Sequence, residues 1–187
     1  MFERFTKDAR AVVKEAVRES EEAGASSVTA EHLLLALLER EGSRGSFALG
    51  ALGLGEGRES VRAALGEARR RAGLTQAETE ALAGLGIDVS EIVARVEDAH
   101  GVGAMSGDRR GRGRRSGHRP FARDAKEALT GALRAATAHR DRAIGDEHLL
   151  LALTARPGVP AEVLADHGVT YASLTRVLYG GGEAKAG

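Results

Sequence analysis

Apolar residues near the start of the chain recur at helical spacing. Ala9, Val12, Val13, Ala16 and Val17 make one stripe, with Arg10, Lys14 and Arg18 on the wet side and Thr6 placed to cap the helix. Gly24 and the Ser26-Ser27 pair interrupt that stripe. A second run, Leu33, Leu34, Leu37 and Leu38, follows Thr29 as its predicted cap, with Glu31 in its first turn favourable to the helix dipole. Gly42 to Gly45 breaks this helix. Phe47, Ala48, Leu49 and Leu52 predict a short third helix stopped by Gly53, and Glu59 to Leu65 a fourth.

The same grammar returns 116 residues later. Ala125, Ala128, Leu129, Ala132 and Leu133 repeat the first stripe, and Asp146-Glu147-His148-Leu149-Leu150-Leu151-Ala152-Leu153 repeats Ala30-Glu31-His32-Leu33-Leu34-Leu35-Ala36-Leu37. Aligning Phe5–Gly42 with Phe121–Gly158 gives 14 identities in 38 positions, phased with the helical stripe, so the chain contains one helical unit twice. Val163, Leu164, Leu174, Val177 and Leu178 complete the second unit. His167 stands where the first unit has Leu52, which predicts a less well packed position.

Between the units, Glu78 to Leu85 reads as weakly helical, and Ile87, Val89, Ile92, Val93 and Val96 predict an amphipathic helix packed on the first unit. From Gly101 to Gly117 the composition shifts to Gly, Ser and Arg, including Arg109-Arg110-Gly111-Arg112-Gly113-Arg114-Arg115, which has no apolar face to bury. The resulting division is 1–74 for the first repeat, 75–105 for an additional helical segment and 106–119 for an Arg/Gly-rich linker. Residues 120–180 form the second repeat and 181–187 a disordered tail.

Composition narrows the function. The 187 residues are 42% hydrophobic but 3% aromatic, which favours a close-packed Leu, Val and Ala core and an all-α fold. Lys+Arg and Asp+Glu are 27 each, so no global field draws the protein to nucleic acid or membrane. Cysteine is absent, which excludes disulfides and thiolate chemistry. The N-terminus lacks the pattern of a secretory signal and no stretch is long and apolar enough to span a bilayer, so a cytoplasmic location is expected.

The opening Met1-Phe2-Glu3-Arg4-Phe5-Thr6, the repeated Glu-His-Leu-Leu-Leu helix, Gly117-His118-Arg119-Pro120-Phe121 and the Leu52-Gly53-Leu54 turn together resemble the N-terminal domain of bacterial Clp unfoldases, most closely the ClpC type. The resemblance covers nearly the whole chain except Thr75 to Ser116. It implies an all-α, pseudo-twofold tandem of two four-helix repeats that receives substrates and adaptors for an ATPase ring. No Gly-x-x-x-x-Gly-Lys-Ser/Thr stretch is present to cradle a nucleotide, so the expectation is a non-catalytic recognition domain, separated from the motor and needing no cofactor. Degron-bearing proteins or peptides, a Clp unfoldase or its adaptors, and Clp-directed cyclic peptide natural products are the partners it implies. Adaptor and decoy roles both follow.

The resemblance also implies sites. Glu31 and Glu147 match the glutamate that holds the guanidinium of phosphorylated arginine; a carboxylate accepts such a group in bidentate fashion while helix N-terminal amides take the phosphate. The alternative is that each glutamate complements its own helix dipole. The family's Gly-Thr-Glu-His reads Thr29-Ala30-Glu31-His32 and Gly145-Asp146-Glu147-His148 here, and Asp146 sets a negative charge beside the anion's seat, which makes Glu147 the weaker candidate. Phe2, Phe121 and Lys126 match a groove between the repeats where hydrophobic cyclic peptides bind; the alternative is that both phenylalanines staple helix starts.

Other chemistry finds less support. His32 and His148 each follow a carboxylate, but neighbours on a helix diverge and no His-Glu-x-x-His spacing occurs, so no metal site is expected. Ser26, Ser27, Ser43 and Ser46 lack a nucleophile-elbow frame, and Asp8 and Asp124 read as first-turn helix charges. The arginine-rich linker supports the alternative class, a nucleic-acid-associated helical protein. Without interleaved aromatics to stack bases, nucleic acid is the less favoured partner.

Overall fold

The computed structural model describes residues 2–106 and 119–180, with Phe2 described by its backbone alone. The side chain of Phe2, the arginine run 109–115 and the tail 181–187 therefore lie outside the described residues. A 3-10 turn, Phe2–Arg4, leads into α1 (Lys7–Glu22), α2 (Ala30–Leu38), α3 (Arg44–Ala51) and α4 (Arg58–Arg70). The intervening segment forms α5 (Gln76–Gly84) and α6 (Val89–His100). The second repeat supplies α7 (Arg123–Ala138), α8 (Asp146–Thr154), α9 (Val159–Asp166) and α10 (Tyr171–Tyr179). None of the described helices is long and apolar enough to cross a membrane.

Local sequence explains most of these boundaries. The Thr6 hydroxyl accepts the Ala9 N–H at 3.1 Å and caps α1, as its position predicts. The start of α2 is different. His32 Nδ1 accepts the Thr29 N–H at 3.0 Å, while the Ala30 N–H is taken at 2.9 Å by Asp124 from the start of α7. A carboxylate from the other repeat thus does part of the capping predicted for Thr29. α4 runs beyond Leu65 because Ala68 continues its buried face, with Arg69 and Arg70 forming ion pairs at its end.

The repeats share one core, and they build it by exchange. α2 and α8 are buried along almost their whole length. α1 packs on α2 and α7 on α8, but α3 also packs on α8 while α9 packs on α2; likewise α10 packs on α3 and α4 on α9. Backbone pairing follows the same pseudo-twofold. Phe5 bridges Ile144, with Thr6 N–H to Ile144 O at 2.9 Å and Ile144 N–H to Arg4 O at 2.8 Å. Phe121 bridges Val28, with Val28 N–H to Pro120 O at 2.9 Å and Ala122 N–H to Val28 O at 2.8 Å. These crossed contacts fix the start of each repeat against the other.

The additional segment touches both repeats. Glu97 of α6 accepts from Arg70 at 2.7 Å, which ties α6 to the first repeat as its apolar pattern predicts. The Gln76 N–H at the start of α5 donates to Glu162 of α9 at 2.7 Å. Val89 and Val93 are buried, whereas Leu85 is 79% and Ile92 42% exposed, so only part of the predicted apolar face is covered by described residues.

Candidate functional site

Each of the two repeated glutamates sits at a helix N-terminus, and each meets an arginine of the first repeat. Glu31 Oε2 accepts from Nε and Nη2 of Arg69 at 3.3 Å each. Glu147 Oε1 accepts from Arg44 Nη1 at 3.0 Å. A carboxylate facing a guanidinium is the arrangement expected of a phosphoarginine receptor, with the guanidinium here supplied internally.

The two sites differ in depth and wiring. Glu147 is 4% exposed, and its carboxylate folds back over Gly145 so closely that a Cβ there would lie 2.0 Å from Oε2. This fold brings Glu147 Oε1 to 3.6 Å from His148 Nδ1, so these chain neighbours converge where helical geometry alone predicts divergence. Burial, seconded by the adjacent Asp146, raises the Glu147 pKa against the opposing effects of its own backbone N–H and of Arg44. Asp146 is also buried, and it does not face an anion's seat: its Oδ2 accepts the Ser43 hydroxyl and, at 3.1 Å, the Gly45 N–H, capping α3.

Behind Glu147 lies a polar cluster. His148 is fully buried; its Nδ1 accepts the Gly145 N–H at 2.9 Å, which assigns the proton of the neutral ring to Nε2, 3.0 Å from Asp141 Oδ2. The Tyr179 hydroxyl donates to the same oxygen at 3.0 Å, while its ring stacks on His139 at 3.7 Å beneath Arg44. Burial lowers the His148 pKa despite Asp141, and burial raises that of Tyr179. Asp141, Glu147 and His148 bring one potential metal-ligand atom each to within 4.8 Å of one another. Both nitrogens of His148 are already engaged in hydrogen bonds, so the cluster is better matched to its own network than to an ion.

On the Glu31 side a cavity of about 200 Å³ opens between the repeats. Ala128, Leu153, Val159 and Pro160 give it an apolar lining, and Glu31 and Asp124 add carboxylates. Phe121 and Lys126 do not border it. Phe121 is half-buried against the shared core and Lys126 is exposed on α7. Sequence reasoning missed Arg44, Arg69, Asp141 and Tyr179, which reach the motif from distant helices. The one available signal was a position-by-position comparison of the repeats, in which Asp141 answers Ala25.

Residues 4–79 and 120–183 match the Clp repeat (R) N-terminal domain family. The chain belongs to this family. Its fold is similar to a solved one, the N-terminal domain of the caseinolytic protease associated chaperone ClpD from Arabidopsis thaliana, with a TM-score of 0.51 and 21% identity over 95% of this chain and 96% of that one. At that identity the likeness bears on architecture, and it agrees with the all-helical tandem described above. In Clp unfoldases the Clp N-domain is the non-catalytic part that binds substrates and adaptors.

Proposed function

We propose that this Clp N-domain is a peptide receptor for the Clp protease system, acting as adaptor or decoy, and that Glu31 is its phosphoarginine-type contact. The observation that carries this reading is the inter-repeat cavity, which sets the Glu31 carboxylate beside an apolar lining of a size suited to one side chain. Glu31 already faces a guanidinium, and its 3.3 Å contacts with Arg69 are long for a charge-assisted pair, which favours exchange with a ligand. Glu147, more deeply buried and closed by Arg44 at 3.0 Å, is the weaker site. Phe2, Phe121 and Lys126 form the second proposed surface, for Clp-directed cyclic peptides.

Calorimetric titration separates these surfaces. A phosphoarginine peptide should bind the wild type, lose binding in Glu31→Ala and bind more tightly in Arg69→Ala, where the internal competitor is gone; Glu147→Ala should change little. A Clp-directed cyclic peptide should respond instead to Phe2→Ala and Lys126→Ala. Unchanged phosphoarginine affinity in Glu31→Ala sinks the assignment of that residue, and silence from both ligands sinks the receptor reading.

A further inference from the structure

The two repeats hold their histidines alike and then part company. His32 is 2% exposed, and its Nδ1 accepts the Thr29 N–H at 3.0 Å as His148 Nδ1 accepts the Gly145 N–H at 2.9 Å. Both rings are therefore held in the same orientation at their helix starts, with the neutral ring's proton on Nε2. His148 Nε2 meets Asp141 at 3.0 Å. His32 Nε2 is buried with no hydrogen-bond partner among the described residues.

The residue that answers Asp141 is Ala25. Both follow a residue of positive φ, Gly24 at 69° and Arg140 at 60°, and both close the preceding helix, by Ala25 N–H to Ser20 O at 2.9 Å and Asp141 N–H to Ala136 O at 2.8 Å. The first repeat thus keeps the donor and the backbone frame but has no carboxylate to receive the bond. A buried N–H without an acceptor costs about 1–3 kcal/mol. A cavity of about 350 Å³ lies at this place, bordered by Ala25, Ser26, Thr29, His32, Arg69 and Met105.

The surroundings suit an anion. Arg69 and Arg119 both act electrostatically on His32. Of the carboxylates nearby, Glu31 is paired with Arg69, and Asp124 accepts the Ala30 and Ala125 N–H groups at 2.9 and 2.8 Å. We propose that this cavity binds a ligand carboxylate, which accepts the His32 Nε2–H bond as Asp141 accepts that of His148. The ligand is an acidic peptide group, either a C-terminal carboxylate or an Asp or Glu side chain. The physiological source rests on the peptide-receptor reading, whereas the site itself is independent of phosphoarginine binding at Glu31.

The test follows the His32 imidazole by NMR in the whole chain during titration with acetyl-Gly-Gly-Gly bearing a free C-terminus, acetyl-Gly-Asp-Gly-amide, acetyl-Gly-Gly-Gly-amide and inorganic phosphate. One or both carboxylate peptides should shift the Nε2 resonance saturably while the neutral amide does not, and whichever carboxylate peptide binds identifies the source. Ala25→Asp, which restores the internal acceptor, should weaken carboxylate binding about tenfold or more, as loss of a charge-assisted bond requires. His32→Asn, whose Oδ1 retains the Thr29 contact, should weaken it similarly with an unchanged melting profile. Equal binding of the amide, preferred binding of phosphate, or full affinity in Ala25→Asp would each overturn the proposal; so would the absence of any response at His32. Phosphoarginine titration of the same samples reads the Glu31 proposal separately, so either can fail alone.

Discussion

Asp146 and Ala30 occupy the same place in the two repeats, and the difference acts far from the chain neighbours of either. Asp146 lies beside Glu147 in sequence, but its carboxylate receives two donors from the start of α3. The approach is close enough that a Cβ on Gly45 would come within 2.5 Å of Asp146 Oδ2, so position 45 requires glycine for space. Asp146→Ala should therefore destabilise the domain by about 3 kcal/mol, because the Ser43 hydroxyl and Gly45 N–H are left in a buried site. Asp146→Asn, which keeps an acceptor, should lose about half of that. Urea unfolding with an unchanged slope measures both, and a loss for Asp146→Ala within error of zero would exclude the capping role. The motif made Asp146 legible as a charge at a helix start. It could not reveal the second helix start that the charge serves, because that contact spans 103 residues and has no periodic signature.

At the scale of elements, helices were legible wherever apolar spacing persisted, and their ends were legible wherever the stop was local. Thr6, Ser43, Thr75 and Thr170 cap their helices through their own hydroxyls, which the chemistry of the residue announces. The start of α2 is the instructive exception. Asp124 joins two helix starts, accepting the Ala125 N–H on α7 and the Ala30 N–H on α2, while its repeat partner Asp8 pairs with Arg40 instead. A first-turn acidic residue looks the same in sequence in either case. Asp124→Ala should cost about 1–2 kcal/mol by loss of a cap, with faster amide exchange at Ala30. Asp8→Ala, which removes a partly exposed ion pair, should cost well under 1 kcal/mol and leave the Ala30 amide protected. Equal exchange rates at Ala30 in the two variants would show that Asp124 does not hold α2.

At the scale of the whole molecule, the repeats look like separable units in sequence because each carries its own complete apolar pattern. Their packing says otherwise. The third helix of each repeat lies against the second helix of the other, and each repeat's opening segment is hydrogen-bonded to the other's turn before its second helix. A lone repeat would expose Leu34, Leu49, Leu150 or Leu164 wherever these fully buried side chains face the missing half, and each such Leu is worth about 1.5–3 kcal/mol of burial. It would also leave the backbone groups of Val28 or Ile144 without their partners. Because domain stability is itself only about 5–15 kcal/mol, those losses should prevent independent folding. Fragments 1–105 and 119–187, prepared separately, should show weak helicity without a cooperative melt, and mixing them should restore helical circular dichroism in a concentration-dependent way. Cooperative melting of either fragment alone would contradict a shared core. It would also separate the two glutamate sites physically, which the present packing does not allow, since Glu31 stands by Asp124 and Glu147 by Thr6 and Arg44.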